Sequence, residues 1–384
     1  MSVVTQLKPV ETKTSLTDII HKIGPEIASR AASADETGQF VSENYALLKQ
    51  HGLVEAGVPA EFGGGDASID ELGQMLRAIA RYCGSTALAF AMHQHQVAIP
   101  AWRWRHQKLA AVEPLLKRIA AEKIIVLTSG GSDWIAGSGT AEKVEGGFKI
   151  TARKSFASGA EAAALFMTSA VLEEEGGVRS VLHFGVPMNS PHVRIDPVWN
   201  TMGMRGTGSN DVVIDGHVVP ETAVALKRKA GEWHPLFQII ATIAIPLIYG
   251  VYVGIAEHAR EMAVTMASKR RADPNITQLI GQLETELRGA QIGHEYMLSV
   301  TRRNAPSAET INDVMMGRQL VGRHAIRAVE LAMEAAGGGS YFKRHELERC
   351  FRDVQGARFH PMQVMQQANY AGAMALGMPV DRIF

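Results

Sequence analysis

Residues Ile124-Ile125-Val126-Leu127-Thr128, with Gly130-Gly131-Ser132-Asp133 just beyond them, mark where the chain changes character. An apolar, β-branched run ending in a glycine turn reads as a strand. Before it, apolar residues recur at helical spacing: Leu16, Ile19, Ile20, Ile23 and Ile27, then Tyr45, Leu47 and Leu48. A Gly/Pro-rich break from His51 to Gly65 interrupts this pattern. A helix then resumes at Ser68, where Ser68 and Glu71 have capping-box spacing. Ser85 to Ala98 forms another apolar helix bearing His93 and His95, and the aromatic-basic patch Trp102-Arg103-Trp104-Arg105-His106 follows it.

Past residue 124 the period shortens to that of strands. Stretches 141–144, 147–154, 164–172, 178–186, 192–195 and 211–219 read as short strands, a spacing that predicts a β-barrel or sandwich. From Glu232 the pattern is helical again over 236–270, 275–303, 308–334 and 344–378. The expected fold class is therefore α+β. A flexible N-terminus (1–15) precedes an N-terminal helical domain (16–122), a central β-domain (123–229) and a C-terminal four-helix bundle (230–384).

The apolar share of 46% is ample for buried cores. Zero formal net charge argues against a nucleic-acid footprint. The chain has two cysteines, Cys83 and Cys350, too few for a disulfide framework or a cysteine metal site. With no Arg/Lys-led apolar leader, this predicts a cytoplasmic protein without a metal. The uncharged run Leu236–Gly254 is long enough to span a bilayer. His258, Arg260 and Glu261 follow it at once, so it reads as the buried central helix of a bundle rather than a membrane segment.

Several short motifs carry possible chemistry. The turn Gly130–Asp133 exposes main-chain N–H groups that suit a phosphate or the polar edge of a ring. It lacks the Gly-Lys-Ser/Thr ending of a P-loop, and no helix follows it as in a dinucleotide fingerprint. In Lys154-Ser155-Phe156-Ala157-Ser158-Gly159, Phe156 either covers a flat ring or fills the β-core, and Ser158 is either a hydrogen-bonding group or a turn residue. Met202–Ser209 is a long Gly/Met loop. His93 and His95, two apart on a helix, do not share a face, which excludes a helical zinc pair. Near the C-terminus come Gly337-Gly338-Gly339, then Arg349–Asp353, then Arg358-Phe359-His360-Pro361: a helix stop, an ion cluster and one titratable ring.

Taken in order, these pieces resemble the acyl-CoA dehydrogenase superfamily over about residues 20–380. The resemblance is carried by Val58-Pro59-Ala60-Glu61-Phe62-Gly63-Gly64, Gly84–Leu88 leading to His93, Leu127-Thr128 with Gly131-Ser132-Asp133, Lys154–Gly159, Met202–Ser209 running into Val218-Val219-Pro220, and Ala336-Gly337-Gly338 with Arg349–Asp353. It implies a flavin, FAD or FMN, held by Leu127, Thr128, Gly131, Ser132, Phe156 and Ser158. It also implies that a neighbouring subunit contributes Arg270 or Arg271, Glu334, Gly337 and Gly338, hence a homotetramer or dimer. Glu334 stands where the family usually has Gln, and Ala272-Asp273-Pro274 replaces the expected Phe-Gly.

The family's dehydrogenases remove a substrate α-proton with a Glu. Here the usual region reads Arg358-Phe359-His360-Pro361, and the alternative position on the central helix is apolar over Ile239–Thr242. A His after the Arg-Asp pair resembles instead the two-component flavin monooxygenases of the dibenzothiophene, hydroxyphenyl and amino-sugar types. These take reduced flavin from a separate flavin reductase. This resemblance implies catalytic roles for His360, His93 and Ser158 in oxygenating a small organic substrate. The alternative is an acyl-CoA dehydrogenase or oxidase with FAD and an atypical base.

Overall fold

The computed structural model describes residues 14–383, the side chain of Ser132 excepted. Most of the predicted flexible N-terminus thus lies outside the described residues. Five helices come first: α1 (Leu16–Thr37), α2 (Ser42–Gln50), α3 (Ile69–Ala80), α4 (Gly84–Gln107) and α5 (Glu113–Glu122). The Ser68/Glu71 capping box starts α3, with both reciprocal bonds formed.

Eight strands follow: β1 (Ile125–Thr128), β2 (Thr140–Val144), β3 (Gly147–Ala157), β4 (Ala163–Glu173), β5 (Arg179–Pro187), β6 (Val193–Asp196), β7 (Asn210–Pro220) and β8 (Leu226–Lys229). They form one sheet ordered β6-β7-β3-β2-β4-β5-β8, with β1 parallel to β4. The halves join through only two residue pairs between β2 and β4. Ile150, Val212 and Ile214 from one half pack in the same core as Phe166, Leu182 and Phe184 from the other. The sheet therefore folds over on itself like a sandwich, and the path of pairing stays open rather than closing as a barrel. β8 was not expected, because Leu226-Lys227-Arg228-Lys229 has no apolar alternation. It is an edge strand, where charge is tolerated.

The C-terminal part holds α6 (Pro235–Ala267), α7 (Pro274–Arg302), α8 (Ala308–Ala336), α9 (Glu346–Val354) and α10 (Val364–Ala375). α6 is long and apolar enough to cross a membrane, but 94% of its most apolar window is buried inside the protein. It is the central core helix. The run predicted as one helix over 344–378 is broken at a 3-10 turn (Gln355–Arg358) and the segment that follows it. Gly356 and Pro361 account for the interruption. The break turns His360 out of a helix and toward the β-domain.

Candidate active site

Three distant segments meet at one edge of the β-domain. The first is the turn after β1. Gly130 donates its N–H to the Ser155 carbonyl at 3.3 Å, which ties the turn to β3. A Cβ on Gly131 would lie 2.5 Å from Pro361 Cγ. No side chain fits there, so glycine lets the β1 turn close onto the His360-Pro361 segment. Beneath the turn, the buried Lys154 ammonium bonds Asp133 Oδ2 at 2.5 Å and the Ser138 carbonyl at 2.9 Å. Burial lowers the Lys154 pKa, and Asp133 opposes that shift. Thr128 ends β1 half-buried, whereas the Leu127 side chain lies in the β-core, so only its main chain can face a ligand.

The second segment is the end of β3. Its register with β7 shifts between Lys154 and Ala157, and Phe156 sits there with φ +60°. A bulky residue in the left-handed region is strained and needs support. Its ring is 61% exposed, with Trp199 edge-on at 6.3 Å, so it is not core. Ser158 is buried, its Oγ 2.7 Å from Ser209 Oγ. Ser209 continues to Thr207 at 2.7 Å, and Thr207 donates to the Met204 carbonyl at 2.9 Å.

The third segment carries His360. Its Nε2 lies 2.6 Å from the hydroxyl of buried Tyr252. Arg318, 1% exposed, donates to the His360 carbonyl at 2.7 Å and to the Ala357 and Arg358 carbonyls. The guanidinium also lies over the Tyr249 ring at 5.3 Å. Among the described residues no carboxylate pairs with it. Burial and then the Arg318 charge push His360 down to about 3, although the residue keeps some solvent exposure at the edge of the β-domain. The ring is therefore neutral in ordinary buffers.

His93, expected to share a catalytic role with His360, does not belong to this cluster. Its Nε2 lies 2.9 Å from the Val54 carbonyl, and its Nδ1 accepts the Val126 N–H at 3.1 Å. β1 pairs only with β4, so its other edge needs partners, and His93 supplies one. His95 lies about 200° round α4 from His93. It is buried too, with Nδ1 3.0 Å from the Ala91 carbonyl.

The expected subunit-borne set divides. Arg270 donates to the Ala335 and Ala336 carbonyls at 2.5 and 3.1 Å, where a cation suits the C-terminus of α8, and Gly337 adjoins its guanidinium. Gly338 is exposed beside them. Glu334 faces elsewhere, paired with Arg327 at 3.2 Å. The Arg349–Asp353 cluster is a junction. Arg352 pairs with Asp35 on α1 and with Glu348, and Asp353 accepts the Met204 N–H at 2.5 Å. Burial pushes Asp353 up to about 6. The loop 202–209 is thereby pinned, since a Cβ on Gly203 would lie 2.3 Å from the Arg352 carbonyl. Of the aromatic-basic patch, Trp102 and Arg103 help line a groove of about 260 Å³ with His234, Leu236, Gln238 and Ile239.

Sequence reasoning missed Tyr252 and Arg318. Arg318 did leave a signal, a charge on the buried helical stripe Ile311, Val314, Val321 and Ala325.

Comparison with known proteins agrees with this fold. The amino sugar nitrososynthase DnmZ of Streptomyces peucetius is 25% identical over 94% of this chain and 93% of its own. A pigment production hydroxylase of a Rhodococcus strain is 26% identical over 96% and 98%. The solved structure of KijD3, in complex with FMN and dTDP-3-amino-2,3,6-trideoxy-4-keto-3-methyl-D-glucose, superposes with TM-score 0.87 at 26% identity, covering 95% of this chain and 94% of that one. Family models for the acyl-CoA dehydrogenase N-terminal, middle and C-terminal domains match residues 21–117, 128–217 and 247–365. Matched in order, they take in most of the sequence, and their three parts are the helices, folded sheet and helical bundle described above. The chain belongs to the acyl-CoA dehydrogenase superfamily.

Proposed function

We propose that this protein is the oxygenase of a two-component flavin-dependent monooxygenase that oxygenates a small organic substrate. One observation carries the reading. Where a dehydrogenase would present a carboxylate, the cleft offers an imidazole pushed down to about 3. A base that weak is mismatched to removing a proton next to a thioester at neutral pH. A neutral imidazole is well suited to donate a hydrogen bond. The nitrososynthase and hydroxylase relatives support the same direction.

The residues fit a flavin. Phe156 offers an open aromatic face, Gly130 lies beside it without a side chain of its own, and Thr128 stands at the end of β1. When bound in reduced form, the flavin supplies two electrons, which let dioxygen give one atom to the substrate and the other to water. Phe156 would cover the ring, the main chain of Leu127 and Thr128 would hold its polar edge, and Ser158 orders the neighbouring turn. His360, backed by Tyr249 and Tyr252, would donate a hydrogen bond to the bound group. Reduced flavin comes from a separate reductase. Arg270 and Gly338 are exposed at the C-terminus of α8, where a second copy of the chain would meet them in a homotetramer or dimer, and the protein is taken to be cytoplasmic.

The test uses reduced FMN and reduced FAD mixed with the protein in aerated buffer. A slow reoxidation phase, absent without protein, is the expected result. Purification with one tight oxidised FAD per chain, bleached by an acyl-CoA without oxygen, would overturn the reading.

A further inference from the structure

We infer that Tyr252 is a positioning residue that fixes His360 as the tautomer protonated on Nδ1, leaving that N–H as the only donor the ring turns toward the cleft. The inference builds on the monooxygenase reading but stands on contacts within the chain.

Tyr252 is fully buried, and among the described residues its hydroxyl has one hydrogen-bond partner, His360 Nε2 at 2.6 Å. It reaches that position past Gly356, where a Cβ would stand 2.8 Å from the hydroxyl oxygen. Other acceptors nearby are already served. The Tyr249 hydroxyl donates to the Ala357 carbonyl at 2.7 Å, and Arg318 donates to the carbonyls of Ala357, Arg358 and His360. Burial raises the Tyr252 pKa, so the group stays an O–H. A buried O–H that donates to nothing costs about 1–3 kcal/mol. The acceptor must therefore be Nε2, which carries a lone pair only if the proton of the neutral ring is on Nδ1. The reverse arrangement, Nε2–H donating to the tyrosine oxygen, would strand the hydroxyl proton.

The surroundings hold this choice in place. Arg318 anchors the carbonyl of His360 itself, and its charge disfavours a second proton on the ring. Nδ1 has no partner among the described residues, and it is not sealed from solvent, since His360 is only partly buried. The next residue, Pro361, rests against Gly131 of the β1 turn. The N–H of Nδ1 is thus the polar group His360 offers on the flavin side. Tyr252 touches neither cofactor nor substrate; it acts through His360.

Nitrogen-15 NMR of the histidine-labelled, flavin-free protein tests this directly, with the His360 signals identified by their loss in His360→Asn. The expected spectrum shows Nδ1 protonated and Nε2 bare. In Tyr252→Phe, most of the proton population should move to Nε2. A wild-type ring protonated on Nε2, or an unchanged tautomer in Tyr252→Phe, would overturn the inference. The wild-type spectrum decides the matter even if the variant folds poorly. A second readout is product formed per reduced flavin consumed, which should fall about tenfold in Tyr252→Phe with substrate KM unchanged. If the wild type makes no oxygenated product at all, the monooxygenase reading fails while the NMR result still judges the tautomer.

Discussion

His93 and His360 look alike by the usual criteria and do opposite things. Burial pushes both down, to about 4 and about 3. Both are neutral, and both lie where helices meet the β-domain. His93 spends both nitrogens on main chain, accepting from Val126 and donating to Val54, and so carries its proton on Nε2. His360 spends one nitrogen on Tyr252 and keeps the other for the cleft. Burial and a shifted pKa therefore do not tell the two rings apart. What separates them is the nitrogen that His360 leaves unspent. His93 is a brace that closes the open edge of β1, and His360 is a donor held out on a broken helix.

The widest separation between the two should appear on deletion. His360→Ala is expected to lower product formation with reduced flavin by roughly 10²–10⁴-fold, the range for a removed proton-transfer or donor group. Its unfolding free energy should fall by only about 1–2 kcal/mol, for the stranded Tyr252 hydroxyl. Steady-state product assays and urea unfolding read the two effects. A coupling unchanged within twofold would remove His360 from the mechanism.

His93→Ala should invert that pattern. It leaves a buried carbonyl and a buried N–H unpaired at once, for about 2–5 kcal/mol of stability. Product formed per folded chain should hardly change. If activity falls while the urea midpoint stays put, His93 is catalytic after all and the comparison fails.

Acid should act on both in the same sense. Each folded pKa lies below the reference value of 6.5. Between the two values only the unfolded chain holds the proton, so acid favours unfolding. Stability is then complete above pH 6.5 and falls as pH drops, down to about 4 for His93 and about 3 for His360. Each contributes on the order of 1.4 kcal/mol per pH unit in its window. His93→Gln should flatten the pH dependence of the unfolding free energy by about one proton, measured by urea titrations from pH 7 to 5. An unaltered slope would mean His93 is not the buried neutral ring described.

The order of the domains was open to sequence reading because it rests on period: helical spacing, then strands from Ile125, then helices again. The position of His360 in a break was less open, because the apolar pattern over 344–378 runs on through Gly356 and Pro361. Nothing in the spacing of His93 and His95 says which faces a cleft. That depends on β1 having an unpaired edge beside α4, a property of the sheet order and not of either segment. Tyr252 was hidden for a similar reason. It reads as one more apolar residue of a buried helix until the chain returns, 108 positions later, with His360.

The smallest expected effect concerns the opposite wall of the cleft. Phe156 is one of the large side chains that the fold leaves exposed, and it sits at a backbone angle that side chains rarely adopt. Its removal should therefore cost the fold little. Phe156→Ala is expected to leave the unfolding free energy within about 0.5 kcal/mol, as for other exposed positions. Flavin affinity is a different matter, since an aromatic face against a flat ring is worth about 1 kcal/mol beyond its area. Titration with reduced or oxidised FMN and FAD, followed by fluorescence, should show a Kd weakened roughly fivefold. Trp199, edge-on to the ring, would report the same event through its own emission. The informative outcome is the ratio of the two effects. A variant that loses stability but keeps its flavin affinity would make Phe156 a packing residue like Leu127 behind it, and the flavin would have to lie elsewhere on the sheet.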